Sequence, residues 1–374
     1  MNQFSNLNLK KNPFENITPS LQENERRNLI WAGLDKLKMR LEDVHEKSIS
    51  SGAHKIILNW GAWGAGKTFA AFYFNHYYLQ ERFQKAQGQL LHIYIRLPKN
   101  ANEATKQLFR DVLDYLSLST IKERIRSVIS EFDENYIFNF INLRIRSEEY
   151  TKAIIKLADT NNEISEMMSR YLFVGSTKTE LKKLGLSRSL NSDIDMIKML
   201  TGILLCFVMN HDPIMSGRIF LWIDEMEDLI YYNSKQYKIF SQILRDLFDQ
   251  MSEGLTIFMN FTLKEPEEGT IKLLLGDALW SRITQKIRFK ELSIEDGLIY
   301  CKDLIQKNQI KRNKYSPFTE KSLHSLLELI PSSEMTPREI NKICSEVLNF
   351  AIEQNASEIS EKIVSSWLSQ KTDE

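Results

Sequence analysis

Gly61-Ala62-Trp63-Gly64-Ala65-Gly66-Lys67-Thr68 follows the apolar run Ile56-Ile57-Leu58-Asn59-Trp60 and leads without a break into Phe69-Ala70-Ala71-Phe72-Tyr73-Phe74. The succession reads as strand, glycine turn and helix, the setting a phosphate-binding loop requires. The glycines at 61, 64 and 66 let backbone N–H groups turn inward around a polyphosphate. The helix that follows adds unpaired donors and the positive end of its dipole. In such a loop Lys67 reaches the β and γ phosphates, and the Thr68 hydroxyl ligates magnesium.

A second stretch answers the first. Arg218-Ile219-Phe220-Leu221-Trp222-Ile223 is a continuous apolar run ending in Asp224-Glu225-Met226-Glu227-Asp228. It reads as a buried strand that delivers two carboxylates to its C-terminal edge, where open α/β sheets bind ligands. Asp224 is placed to hold magnesium, and Glu225 to orient and deprotonate an attacking water. On its own the stretch equally suits a strand followed by an acidic helix start. A third run, Leu255-Thr256-Ile257-Phe258-Met259, ends in Asn260-Phe261-Thr262. Asn260 is favoured over Thr262 as the polar group at that strand edge, where it would position water or meet the γ phosphate.

Length and composition set the frame. At 374 residues the chain exceeds the usual single-core size, and 43% hydrophobic with 26% charged residues is a globular composition. Forty-nine basic and 49 acidic residues cancel, so any nucleic-acid contact must come from a local patch. Cys206, Cys301 and Cys344 are far apart and lack metal-ligand spacing, which argues for buried thiols rather than a zinc site. The polar start of the chain lacks a signal core, and the greasiest run, Ile203 to Met209, is too short to cross a bilayer. A cytoplasmic protein without membrane contact is expected.

Five segments are expected: an arm over 1–22, the first part of an α/β core over 23–102, a helical insertion over 103–210, the second part of the core over 211–292, and a helical lid over 293–374. Asn12-Pro13-Phe14 is a candidate docking point in the arm. Ile30, Leu34, Leu37, Leu41 and Val44 share one helical face, so a helix is predicted from Glu23 to about Lys47. Gln89 to Leu97 is a second buried strand; Arg96 or Asn100 would sense nucleotide there, unless they are only strand-end polarity. The insertion is patterned as helices, with Ser192 opening one through a capping box. Its cations Lys122, Arg124, Arg126, Arg144, Arg146, Lys178, Lys182, Lys183 and Arg188 line either a binding surface or, with their interspersed acids, a solvated face. Ile287-Arg288-Phe289 is expected as the last core strand. Thr336 or Pro337 opens a lid helix with Arg338 in its first turn.

Taken together these motifs resemble the AAA+ superfamily, over about Asn12 to Trp367. The resemblance implies a parallel-sheet P-loop fold with ATP and Mg2+ as ligands. It implies nucleotide contacts from Gly61, Gly64, Ala65, Gly66, Lys67, Thr68 and Phe69, metal contacts from Thr68 and Asp224, and catalytic roles for Lys67, Glu225 and Asn260. It further implies that Arg282, in the pair Ser281-Arg282, enters a neighbour's site as a finger, with Arg245 in reserve, and that Arg338 meets the γ phosphate in cis. The segments around Arg282 to Ser293 and Thr336 to Asn341 look most like the clade of origin-recognition, ExeA-type and transposon target-selection ATPases. Tyr171 to Gly175 and Leu184 to Leu186 look like ATP-binding proteins of mobile-element and phage-exclusion loci. The long interval from Lys67 to Asp224 departs from the family, as does the short stretch after the lid, which leaves no room for a winged-helix DNA reader. An oligomerising ATPase switch is expected, acting on DNA or with an effector such as a nuclease or transposase. The alternatives are a nucleotide-gated recruitment platform with slow hydrolysis, and a small-molecule kinase.

Overall fold

The computed structural model describes residues 3–15, 29–75, 90–209, 217–263 and 268–373. Its centre is a five-stranded parallel sheet of β1 (Lys55–Gly61), β2 (Leu90–Arg96), β3 (Arg218–Asp224), β4 (Leu255–Thr262) and β5 (Ile283–Phe289), in the order β2-β3-β4-β1-β5. All four pairings are parallel, so every strand ends at the same edge. That edge carries Gly61, Arg96, Asp224 and Thr262. Both sheet faces are covered, which is why β1, β3 and β4 read as apolar runs rather than alternating ones; the edge strand β5 is more polar and only partly buried, and it begins at Ile283, before the expected Ile287.

The alternating side chains feed two different cores. Ile57, Tyr94, Phe220, Trp222, Phe258 and Phe289 pack with α1 (Asp35–Ser51) and the phosphate-loop helix α2 (Lys67–Tyr73). Leu58, Ile93, Ile95, Leu221, Ile257 and Met259 face the opposite way, into the insertion. The insertion consists of α3 (Ala104–Leu116), α4 (Leu118–Glu131), α5 (Glu134–Ile145), α6 (Glu148–Lys156), α7 (Asn162–Phe173), α8 (Lys178–Leu184) and α9 (Asp193–Val208). The expected Ser192 capping box is present, with Ser192 accepting from the Asp195 N–H. From Met199 to Val208 every residue of α9 is buried, so the greasiest run of the sequence is the axis of this helical layer. Helices α10 (Ser234–Met251) and α11 (Glu268–Trp280) complete that face. No helix among the described residues is long and apolar enough to cross a membrane.

The lid comprises α12 (Ile294–Asn308), α13 (Glu320–Glu328), α14 (Pro337–Glu353) and α15 (Glu361–Asp373) around its own core. The N-terminal segment belongs to that core. Leu7, Leu9 and Phe14 are fully or almost fully buried in it, and the Phe14 ring meets Phe318 edge-on at 5.8 Å. Asn12 Nδ2 donates to Ser345 Oγ at 2.8 Å. The candidate docking point therefore docks on the chain's own lid.

The helix expected from Glu23 to Lys47 starts only at Asp35 among the described residues. Gly33 and Leu34 both hold φ of 53°, a left-handed pair that a helix cannot continue through. Instead the segment 29–34 bridges two bodies. Trp31 packs on Phe69, Tyr73 and Phe74 of the phosphate-loop helix region, Ala32 enters the lid core, and the Gly33 N–H donates to Asp303 Oδ2 at 2.9 Å. The three cysteines are free and buried.

Because Phe14 fills a closed position in the lid, Phe14→Ala is expected to cost about 3–5 kcal/mol of lid stability. Hydrogen exchange would register this as faster exchange in α12 and α14, with the sheet little changed; unchanged protection in the lid would show that the arm is not part of its core.

Candidate nucleotide site

Three segments far apart in sequence converge at the C-terminal sheet edge. The loop after β1 places Lys67 and Thr68 at the start of α2, β3 supplies Asp224, and β2 supplies Tyr94 and Arg96. Asp224, 4% exposed, accepts from the Thr68 hydroxyl at 2.5 Å and from the Tyr94 hydroxyl at 2.9 Å, both at Oδ2. Its Oδ1 accepts from the Glu225 N–H at 3.0 Å. Burial beside this carboxylate raises the Tyr94 phenol far above its ordinary value, so Tyr94 stays a donor.

Lys67 is 5% exposed, and its Nζ donates to the Gly61 and Ala62 carbonyls, each at 2.9 Å. The ammonium thus sits inside the loop on oxygens that a phosphate could replace. Burial lowers its pKa to about 8, against the pull of Glu227 and Asp224 and with help from Arg338. The paired hydroxyl and carboxylate of Thr68 and Asp224 form a hard oxygen donor set of the kind magnesium prefers. The residues present therefore fit an Mg2+–nucleotide ligand.

Glu225 occupies a left-handed conformation, φ 59° and ψ 33°, uncommon for a residue with a side chain. Its Oε1 lies 3.6 Å from Arg96 Nε, in a partly exposed ion pair. Arg96, one of two candidate sensors at or beyond the end of β2, is thereby tied to the expected base. Asn100, the other, caps the short turn 101–103 by accepting from the Asn102 N–H.

The polar residues of β4 fall differently from the expectation. The strand runs on to Thr262, so Thr262 rather than Asn260 stands at the edge. Asn260 is fully buried two residues back, where its Oδ1 accepts from Asn59 Nδ2 at 3.0 Å. The Thr262 N–H donates to Glu227 Oε2 at 2.8 Å. Glu227 is a site residue that the sequence reading passed over. Burial raises its carboxyl above the ordinary range, while the Thr262 bonds and the charge on Lys67 oppose that rise. The signal was present in the sequence: Glu227 lies two residues past Glu225, and Thr262 is the last residue of its apolar run.

The lid reaches the loop through the start of α14. Thr336 caps this helix, Pro337 opens it, and Arg338 stands over the Trp63 indole, 4.9 Å from its centroid. A Cβ added at Gly64, whose φ is 80°, would lie 2.6 Å from Arg338 Cβ and 3.0 Å from Thr336 Oγ1. A glycine is needed there both for the backbone turn and for the lid's approach. Arg282 is not at this edge. It precedes β5 and forms a two-pronged pair with Asp249 of α10, both contacts at 2.7 Å. Arg245 shares that neighbourhood, 3.1 Å from Asp246 and 4.0 Å from Asp249.

Several of the insertion cations are engaged by the chain itself. Arg124 is buried and donates to the Cys206 and Met209 carbonyls at the end of α9, which removes it from any binding surface. Arg126 donates to the Ala158 carbonyl, Arg144 stacks on Phe140, and Lys183 pairs with Glu163 at 2.6 Å.

No family model and no curated protein matches the chain. Solved structures do. The ORC2 protein of Aeropyrum pernix in its ADPNP–ADP complexes aligns over 96% of this chain and 72% of its own, with 11% identity and a TM-score of 0.51. Its ADP form gives 97%, 73%, 10% and 0.51. A chain of the Drosophila ORC bound to DNA aligns over 99% of this chain at 11% identity and TM-score 0.48, and here the chain spans only 65% of the relative's length. The fold is thus of the ORC type seen in the two Aeropyrum pernix structures: a parallel sheet wrapped by helices, with added helices and a C-terminal helical lid. The likeness is to that broad type and does not single out the ExeA or phage-exclusion groups.

If Lys67 meets the phosphates of ATP, its depressed pKa would make ATP affinity pH-dependent. Polyphosphate stabilises the ammonium and raises its pKa on binding, so affinity is full below about pH 8 and declines as pH rises toward the bound value. Calorimetry in buffers of different ionisation heat should register proton uptake on binding near about pH 9 and little near about pH 7. Affinity that stays flat through this range would show that Lys67 does not meet the phosphates.

Proposed function

We propose that the chain binds ATP with Mg2+, hydrolyses it to ADP and phosphate, and uses this cycle to switch its assembly. The observation that carries the reading is the convergence of Lys67, Thr68, Asp224 and Glu225 at one sheet edge, with Arg338 of the lid over the same loop. Lys67 and the N–H groups from Gly64 to Phe69 would hold the phosphates, and Thr68 and Asp224 the metal. Mg2+ held by Thr68 and Asp224 would supply charge neutralisation to the phosphates. Glu225, once away from Arg96, would take a proton from water as its oxygen attacks the γ phosphorus. The bond to the β-phosphate oxygen breaks and ADP leaves. Thr262, steadied by Glu227, would take the strand-edge polar role expected of Asn260, and Asn260 would act by fixing β4 to β1 through Asn59. Arg338 would stabilise the γ phosphate in cis.

Arg282 would serve a neighbouring copy after exchanging Asp249 for that copy's phosphate. A homo-oligomer with DNA, or with a DNA-acting effector in a cytoplasmic defence or mobile-element system, is the setting we favour. The two internal pairings, Arg96 with Glu225 and Arg282 with Asp249, also suit a platform that hydrolyses slowly until a partner releases them.

Glu225→Gln is expected to bind ATP as tightly as the wild type and to lower turnover by at least ~100-fold. Turnover assays against protein concentration test both roles: Arg282→Ala should abolish any rise in specific activity with concentration. Wild-type turnover in Glu225→Gln would remove the proposed base, and an unaltered concentration profile in Arg282→Ala would remove the finger.

A further inference from the structure

The N-terminal segment and the loop after α12 form one short ladder, although 303 residues separate Asn8 from Lys311. Leu9 bridges Gln309 in antiparallel fashion, and Lys10 N–H donates to the Asn308 carbonyl at 2.8 Å. The Ile310 N–H donates to the Asn8 carbonyl at 2.9 Å. The Asn8 side chain closes the join by donating to the Lys311 carbonyl at 2.7 Å and accepting from the Lys311 N–H at 2.9 Å. The ladder sets Lys10-Lys11 beside Lys311-Arg312-Asn313-Lys314, all exposed. Lys10, Lys307 and Arg312 line one cavity of about 460 Å³.

The loop is shaped before any ligand arrives. Gln309, 4% exposed, accepts from the Asn313 N–H at 3.0 Å and donates to the Asn313 and Ser316 carbonyls. Both ends of one buried amide thus fix the turn that displays Lys311, Arg312 and Lys314, so little ordering remains to oppose binding. Carboxylates temper the seam in part: Asp303 lines the cavity and accepts from the Gly33 N–H, and Glu320, 3.8 Å from Lys314, offsets some of that cation's charge while accepting from the Tyr315 hydroxyl. A chain with no net charge has gathered cations here from two distant runs.

We propose that this arm–lid seam binds the phosphate backbone of nucleic acid. Protein interfaces are built around buried aromatic anchors and are depleted in lysine, whereas phosphate contacts come from exposed Lys and Arg held in register. The seam has the second character, whereas Arg124, Arg126 and Lys183 of the insertion are held by partners within it. The inference rests on the reading of the chain as DNA-associated and gives that association a surface. Phosphate contacts carry no sequence information, so binding at the seam is sequence-tolerant and steeply salt-dependent.

The test uses the full chain and a labelled duplex of arbitrary sequence, titrated by fluorescence anisotropy at several salt concentrations, with ATP affinity measured in parallel. The combined variant Lys10→Ala, Lys311→Ala, Arg312→Ala and Lys314→Ala should weaken duplex binding at least ~10-fold and flatten the logarithmic salt slope by roughly 3, while ATP affinity is unchanged. A control variant, Lys178→Ala with Lys182→Ala, should bind the duplex as the wild type does. Equal binding by the wild type and the seam variant would overturn the seam and leave the ATPase reading intact. Absence of wild-type duplex binding at low salt, or binding to phosphatidylserine vesicles in its place, would also overturn it. Loss of ATP affinity in the seam variant would mean that the arm acts through the lid rather than on nucleic acid.

Discussion

One buried carboxylate organises the site. Asp224 terminates β3 and binds the hydroxyl of Thr68 from the phosphate loop and that of Tyr94 from β2. A carboxylate with 4% exposure needs such donors, because an unpaired buried charge is costly. These bonds tie the sheet edge to the start of α2 and set the Thr68 oxygen beside the Asp224 oxygen. Glu225 follows in a left-handed turn whose N–H returns to Asp224, so the same group also aims the expected base. Such local strain at a polar edge is characteristic of functional sites.

The second constraint is the strap formed by residues 29–34. Trp31 belongs to the core beneath the phosphate loop, whereas Ala32 belongs to the lid core and Gly33 is bonded to α12. Rotation of the lid relative to the loop would strain this segment and the Arg338–Trp63 contact. The seam of basic residues lies on the same lid, fastened to the same N-terminal part of the chain. A change in nucleotide state that moves Arg338 would therefore move that surface too, which gives the proposed switch a physical route.

Much of this was legible in the sequence because local chemistry and tertiary placement coincide. Strands β1 to β4 announced themselves as apolar runs, since both faces of a parallel sheet are buried, whereas only Ile287-Arg288-Phe289 of the polar edge strand β5 was read. The glycine spacing before Lys67 and the Asp224-Glu225 pair required no three-dimensional information, and Pro337-Arg338 marked the start of its helix. What escaped depended on contacts between distant segments. The apolar face from Ile30 to Val44 suggested one helix, whereas Ile30 and Leu34 pack against the lid while Leu41 and Val44 face the sheet. Asn260 looked like an edge residue because nothing in the sequence shows that Asn59 lies beside it. Arg124 looked like a surface cation, yet it caps the carbonyls at the end of α9. Charge and polarity mark a residue as needing partners without saying whether those partners are ligands or the chain's own backbone.

The most direct test of the central claim is the dependence of ATP affinity on Mg2+ in the wild type and in Asp224→Asn. If Thr68 and Asp224 hold the metal beside the phosphates, Mg2+ should tighten ATP binding by about tenfold or more in the wild type, ~1.4 kcal/mol, and that gain should vanish in Asp224→Asn. An equal Mg2+ effect in both proteins would contradict the account, because the metal would then lie away from the carboxylate on which the site is built.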